Sequence, residues 1–182
     1  PEACGSYFAW GETKPKDEYT EANCLTYGKE IDDISGNVQY DAAAANWGEG
    51  WRIPTKDEMQ ELIDCCDWEW TKQNGIGGYN IIGPNGNRIF LPSSDSKSGP
   101  NFSSATCGHG SYWTSTPIYN TAARYLSFYS HTQKLDLEYS NSRSNGLAIR
   151  PVCDIMEKPI VLTSIESYTD LTAIIKTFVS SS

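Results

Sequence analysis

The run Cys107-Gly108-His109 contains the residue types of thiol catalysis, in which a histidine takes the proton of a nucleophilic cysteine. It lies in a segment rich in Gly and Ser, and the sequence offers no recognisable residue to orient the histidine. We therefore favour a disulfide or a free loop thiol for Cys107. No cysteine pair has the spacing of a zinc site, and the adjacent Cys65 and Cys66 cannot easily chelate one ion together.

Composition limits the classes of partner. The chain has 182 residues, enough for one domain with a real hydrophobic core. Its net charge of −9 disfavours binding to nucleic acids and to anionic membranes. No apolar run reaches the ~18 to 20 residues of a membrane span, so we expect no membrane insertion. Six cysteines form an even set, which is compatible with disulfides in an oxidising compartment. Because no initiator Met is present, we expect that an upstream segment has been removed.

Two helices are predicted before residue 70. Asp41 can cap a short helix over residues 42–47, which Gly48 would end. Thr55 and Glu58 have the spacing of a capping box. Apolar side chains then recur at helical spacing, at Met59, Leu62, Ile63 and Cys66.

Strands are predicted elsewhere, which gives an α+β fold class. The first forty residues indicate short strands and long loops. Residues 79–82 and 88–91 flank an Asn-Gly turn and predict a hairpin. Residues 92–110 predict a long loop. Further strands are predicted near residues 112–115, 122–129, 133–137 and 147–152.

The C-terminal residues predict a separate β unit. Residues 154–182 have the pattern of a linker followed by two alternating segments, 160–167 and 171–179, about a Tyr-Thr-Asp turn. An isolated hairpin is marginally stable in water. It therefore either packs on the main domain, residues 1–153, or opens an immunoglobulin-like module.

Three runs together carry a resemblance to a known family: Tyr7-Phe8-Ala9-Trp10-Gly11-Glu12-Thr13, Trp51-Arg52-Ile53-Pro54-Thr55-Lys56-Asp57-Glu58-Met59, and Tyr112-Trp113-Thr114-Ser115-Thr116 with Gly146-Leu147-Ala148-Ile149-Arg150-Pro151-Val152. Their order resembles the major paralogous domain of Fibrobacter and of Bacteroides lipoproteins. That domain is similar to the formylglycine-generating (sulfatase-modifying) branch of the C-type-lectin-like fold. The resemblance covers residues 1–153 and implies short antiparallel sheets, one or two helices and long loops.

The resemblance also implies where the protein is located, and the chain differs from the family pattern in one respect. It implies a secreted or cell-surface protein of Bacteroidetes type, attached to the outer membrane. The family begins with a further strand before the Tyr7 run, and this chain starts just after the place where that strand should lie. An unpaired strand edge invites pairing with another chain, so self-association is a possible outcome.

The stretch 112–150 resembles the variable region of lectin-like proteins that retroelements diversify. Leu126 and Phe128 are expected to face inward, and Tyr125, Ser127 and Tyr129 to face solvent. Tyr, Ser, Asn and Arg are the residues that paratopes favour, although β surfaces favour Tyr and Ser in any case. We predict a face that binds a glycan or a protein on another cell or in the gut lumen. Its residues are Tyr119, Asn120, Tyr125, Ser127, Tyr129, His131, Asp136, Glu138, Tyr139, Asn141, Arg143 and Asn145.

Catalysis and cofactors are not expected. Sulfatase-modifying relatives use a cysteine pair for copper-dependent oxidation, and no local motif matches Cys107 and Cys153 to that pair. The Glu-Pro-Asn, Gln-Pro-Asp and Trp-Asn-Asp runs of calcium-dependent lectins do not occur, which leaves calcium only through loop carbonyls. The favoured function is a non-catalytic ligand-binding module, as in adhesion. The alternative is a structural or pilus-like component that assembles through its open edge, and a sulfatase-modifying oxidase ranks third.

Tryptophans divide between core and surface. Trp10, Trp47 and Trp113 are expected in the core. Trp51 with Arg52 could form a sugar-stacking platform, although the entry to the capped helix favours a packing role. Trp68 and Trp70 alternate with acidic residues, so one of them is a candidate for exposure.

Overall fold

The computed structural model describes residues 5–102, 108–130 and 135–154. This part contains two α-helices, α1 (Ala42–Trp47) and α2 (Lys56–Cys65), and a short 3-10 turn at Glu21–Asn23. Both helices begin where the sequence predicts. The Asp41 carboxylate accepts hydrogen bonds from two α1 amides, and the capping box of Thr55 and Glu58 is formed in both directions.

Short antiparallel strands make up most of the remaining regular structure, so the class is α+β. In chain order they are β1 Trp51–Arg52, β2 Asp67–Gln73, β3 Ile76–Ile82, β4 Arg88–Pro92, β5 Ser96–Ser98, β6 Asn101–Phe102, β7 His109–Tyr119, β8 Ala122–Tyr129, β9 Leu135–Asp136, β10 Ser140–Ser142, β11 Gly146–Leu147 and β12 Val152–Cys153. They form four small sheets, in the orders β2-β3-β4, β10-β8-β7, β11-β5-β6 and β1-β12, and β9 also pairs with β8.

Strand predictions succeed where alternation or a turn signal is strong. The hairpin β3–β4 is confirmed around its Asn-Gly turn, and β8 has the predicted bounds. The strand predicted at residues 112–115 is longer, and β9 occupies two residues of the predicted 133–137 strand. Residues 133–134 and 155–182, with the predicted hairpin, lie outside the described residues.

One loop prediction and one strand prediction are wrong. The loop predicted at residues 92–110 contains β5 and β6, whose sequences show no apolar alternation. The strand predicted at 147–152 is divided into β11 and β12. Pro151 has no N–H to donate to a ladder, and the Ala148 carbonyl accepts a hydrogen bond from the Trp113 amide at 3.0 Å. Strands β2 and β10 were not predicted.

Both faces of the central pair β7–β8 are covered by apolar side chains. On one face, Leu126 and Phe128 pack with Met59 and Leu62 of α2. On the other face, Tyr125 packs with Trp10 and other side chains of a second cluster. The central strands are therefore buried on two sides, unlike a sheet with one solvated face.

Contacts between the two ends of the described chain close the domain. Phe8 and Leu147 exchange backbone hydrogen bonds of 3.0 and 3.1 Å, and β1 pairs with β12. The Leu147 edge is thus occupied by the Tyr7 run. No helix in the described ranges is both long and apolar enough to cross a membrane.

Candidate functional site

The predicted face divides into exposed and buried groups. Tyr119 is 68% exposed, Tyr139 is 51% exposed and Tyr129 is 37% exposed. Asn120 and Glu138 are also exposed, while Asn141 and Asn145 are half-buried and joined by a side-chain hydrogen bond of 2.7 Å. His131 and the side chain of Asp136 lie outside the described structure.

Three members of the predicted face are buried, so their expected exposure is wrong. Arg143 and Ser127 are 1% exposed, and Tyr125 is 9% exposed and makes an edge-to-face contact with Trp113. The alternation of β8 is correct, but the side opposite Leu126 faces the N-terminal segment rather than water. The pattern could not show this, because residues 7–40 carry no periodic signal for the layer they form.

Most of the exposed residues lie in two neighbouring places: at the turn of the β7–β8 hairpin, and just before β10, which pairs with β8. Tyr119 pairs with Ala122 across the turn, and Ala122 pairs on its other side with Ser142 of β10. Tyr139 lies three residues before Ser142, so at ~4.8 Å between neighbouring strands and ~3.3 Å per residue it lies roughly 14 Å from Tyr119. We call Tyr119, Asn120, Glu138 and Tyr139 the hairpin-end face. Tyr129 stands at the other end of β8, about 23 Å away at ~3.3 Å per residue.

Backbone contacts fix the turn that carries the hairpin-end face. The Asn120 carbonyl accepts a hydrogen bond of 2.8 Å from the Gly28 amide. The Thr121 carbonyl accepts one of 2.9 Å from the Arg143 amide. Leu25, three residues before Gly28, is 69% exposed and was missed in the sequence because it lies in the segment without periodicity. The face therefore has a rigid base, and ligand binding to it would require little ordering.

Charged groups border the hairpin-end face. The Glu138 carboxylate accepts a hydrogen bond of 2.7 Å from Lys56 at the start of α2, and it lies 3.6 Å from the guanidinium of Arg124. Arg124 also donates to the Glu138 carbonyl. These contacts place Glu138 and Tyr139 beside the hairpin, although an exposed ion pair contributes little to stability.

His109 lies between an acid and two hydroxyls. Its Nδ1 is 3.5 Å from Asp95, its Nε2 is 3.3 Å from the Ser127 hydroxyl and 3.2 Å from the Ser111 hydroxyl, and its ring stacks on Tyr129 at 4.2 Å. The residue types are those of hydroxyl nucleophilic catalysis. Both hydroxyls are nevertheless buried, at 0% exposure for Ser111 and 1% for Ser127, so an external substrate would not reach them. The group ties β7 to β8. Cys107, for which a disulfide or a free loop thiol was predicted, lies outside the described residues.

We expect the free energy of unfolding to decrease as the pH falls below about 6.5, the ordinary pKa of histidine. Burial lowers the pKa of the His109 imidazole, and the Asp95 carboxylate offsets this only in part. The unfolded chain therefore binds a proton at a higher pH than the folded chain, and stability is lost as the pH falls through the unfolded pKa of about 6.5.

Urea unfolding of wild type and His109→Asn at pH 7.5 and 5.5 would measure this contribution. Wild type should lose more free energy of unfolding than the variant between the two values. Equal losses would show that His109 titrates alike in both states.

The other sequence candidates have mixed outcomes. Trp10 and Trp113 are core residues as expected, but Trp47 is 49% exposed, so its core assignment is wrong. Trp68 and Trp70 are both half-buried and pack edge-on against Tyr79.

Arg52, beside Trp51, forms salt bridges with two carboxylates that hold elements of the fold together. It contacts Glu58 at 2.5 Å and Asp154 at 2.9 Å, which joins α2 to the residue after β12.

The cysteines at positions 24, 65, 66 and 153 are free thiols, and Cys4 and Cys107 lie outside the described residues. Burial raises the pKa of the Cys66 thiol and so lowers its reactivity.

Comparison of the chain with protein-family models, with curated proteins and with solved structures found no significant match.

Proposed function

We propose that the protein is a non-catalytic binding module with a C-type-lectin-like fold, which recognises a glycan or a protein outside the cell through the hairpin-end face. The observation that carries the proposal is the strong exposure of two tyrosines: Tyr119 at the end of β7, next to a turn that backbone contacts hold in place, and Tyr139 just before β10. Tyrosine gives a large amphipathic contact area and has few torsions to order, which suits recognition.

Several features support the lectin-like part of the proposal. The two ends of the described chain meet at β1–β12 and at Phe8–Leu147, and α2 packs against the central hairpin. Exposed aromatic side chains then project from loops and strand ends on a rigid frame. If the face is diversified by a retroelement, substitution would be tolerated at Tyr119 and Tyr139 but not at the buried Arg143.

Assembly through an open edge is the weaker alternative. The edge of Leu147 is occupied by Phe8, so it is not open to strand addition. The exposed edge strand β2 carries Asp67, Glu69 and Lys72, and charges of this kind oppose strand addition. Concentration-dependent oligomers that disappear on removal of residues 159–182 would favour assembly over ligand recognition.

Replacing Tyr119 and Tyr139 by Ala should weaken ligand capture by tenfold or more, because central aromatic anchors carry much of the binding free energy. Stability should change by less than about 0.5 kcal/mol for each exposed side chain. A glycan array and a panel of gut-surface proteins, each probed with calcium and with chelator, would identify the ligand and its dependence on calcium.

Phe102→Ala provides a matched control, since Phe102 is 55% exposed and lies on β6, outside the face. Its ligand capture should equal that of wild type. Unchanged capture by the double tyrosine variant, or no capture by wild type on either panel, would overturn the proposal.

A further inference from the structure

A cavity of about 490 Å³ lies where the end of α1, strand β1 and the residues before β12 meet. Its walls include Trp47, Trp51, Ile149, Arg150 and Pro151. It shares no residue with the hairpin-end face. Its volume falls within the range of sites that bind small molecules.

The local backbone holds the two indoles of the cavity in place. Trp47 is the last residue of α1, and Gly48 and Gly50 then adopt positive φ angles of 90° and 85°, which lets the chain reverse. The Trp51 amide donates to the Gly48 carbonyl at 3.3 Å, and Trp51 pairs with Cys153 in the β1–β12 sheet. Both rings are thus attached to regular structure on either side of a short turn.

Three side chains that line this cavity carry hydrogen-bond donors without an acceptor in the described part of the chain. Within the described ranges, the indole N–H groups of Trp47 and Trp51, like that of Trp70 outside the cavity, have no acceptor. Those of Trp10, Trp68 and Trp113 donate to backbone carbonyls. The Arg150 guanidinium likewise has no hydrogen-bond or ion-pair partner there. Burial lowers the pKa of this guanidinium, with a small opposing effect from Tyr112. An anionic ligand would give this partly buried cation a charge-assisted hydrogen-bond partner.

The charge of the cavity is opposite to that of the whole chain. No carboxylate lies among its described lining residues, and Arg150 is their one charged side chain, although the chain has a net charge of −9. Donors and a cation on apolar aromatic walls match a ligand with an apolar face, several oxygen acceptors and one negative charge.

We propose that this cavity binds a pyranose ring that carries a carboxylate, with the indoles of Trp47 and Trp51 against the apolar face of the ring and Arg150 paired with the carboxylate. The guanidinium presents two parallel N–H groups, which suit a carboxylate. An indole N–H lies in the plane of its ring, so it can donate to a hydroxyl of the neighbouring sugar unit but not to one of the sugar that it stacks on. This site is independent of the hairpin-end face and of its ligand.

The test compares two oligosaccharides that differ only in charge: an α-1,4-linked galacturonate oligosaccharide and the neutral galactose oligosaccharide made by reducing its carboxylates. Binding is measured by calorimetry in the presence of a chelator, so that calcium does not bridge the acidic sugar. Wild type should bind the acidic oligosaccharide at least tenfold more tightly than the neutral one, as expected for a charge-assisted pair.

Two variants separate the contributions of charge and stacking. Arg150→Met keeps the apolar stem and should abolish the preference for the acidic sugar, whereas Trp47→Ala should weaken binding of both sugars by tenfold or more. Arg88→Gln removes one exposed positive charge on β4 and should leave both affinities unchanged. Trp47→Ala keeps the test decisive if Arg150→Met does not fold, because Trp47 is half exposed.

Equal wild-type affinities for the two sugars, or no binding of either, would overturn the proposal. So would an acidic preference that survives Arg150→Met, or binding of an acidic peptide in place of the sugars. None of these results bears on Tyr119 and Tyr139.

Discussion

Arg143→Ala is expected to lower the free energy of unfolding by about 3–5 kcal/mol. The Arg143 side chain is 1% exposed, donates to the carbonyls of Lys29 at 2.9 Å and Thr26 at 3.4 Å, and lies 4.2 Å from the centre of the Trp10 ring. The Ala variant loses the cation–π contact and leaves the buried Thr26 carbonyl and the partly buried Lys29 carbonyl without this donor. At this chain length the loss corresponds to a fall in Tm of about 6–20 °C.

Arg143→Met separates packing from polar contacts. Its side chain can still cover Trp10, but it cannot donate to the carbonyls of Thr26 and Lys29, so a loss of about 1–3 kcal/mol is expected. Arg88→Ala, at an exposed position, should cost less than about 0.5 kcal/mol. Urea unfolding of the three variants measures these differences. If Arg143→Ala is as stable as wild type, Arg143 is an exposed residue and belongs to the predicted binding face.

Arg143 shows where the sequence pattern reaches its limit. Arg and Tyr are common in recognition surfaces, and their types alone suggested a binding role for Arg143 and Tyr125. Composition cannot show that Trp10 and the segment around Thr26 cover that side of the sheet. Such contacts join residues more than a hundred positions apart, as in the hydrogen bond from Arg143 to Thr26.

Signals that act over a few residues were sufficient for local structure. The caps Asp41 and Thr55, the Asn-Gly turn between β3 and β4 and the alternation of β8 each predicted an element correctly. The short strands β5, β10 and β11 have two or three residues each and carry no such signal. They exist because neighbouring backbone offers partners, which is a property of the fold and not of their own sequence.

The cavity at Trp47 was missed for a similar reason. An Ala-rich turn that ends in Trp and Gly predicts a helix whose last aromatic residue is buried. The short helix instead ends at the surface, and its tryptophan is half exposed. Trp51 was weighed as a sugar platform from its type alone, but Arg150 joins it only because β1 pairs with β12 across 100 residues of chain.

Gly110→Ala should cost about 3 kcal/mol or more, because a methyl group at this position overlaps the ring of Phe128 on the paired strand. Phe128 is fully buried and makes edge-to-face contacts with Tyr79 at 5.2 Å and Trp70 at 6.3 Å, so the ring has little room to move. Gly86→Ala is the matched control. It lies in a turn with φ of 80° and open space around it, so only backbone strain of about 1–2 kcal/mol is expected.

A smaller partner for Gly110 should relieve the overlap. Phe128→Leu alone removes ring contacts and is expected to cost about 1–2 kcal/mol. In the double variant with Gly110→Ala, the loss of unfolding free energy should be smaller than the sum of the losses in the two single variants. The difference, the coupling energy, should be about 1 kcal/mol or more. Chemical denaturation of the full cycle measures that coupling. Strict additivity would mean that the Phe128 ring is not what limits the size of the side chain at position 110.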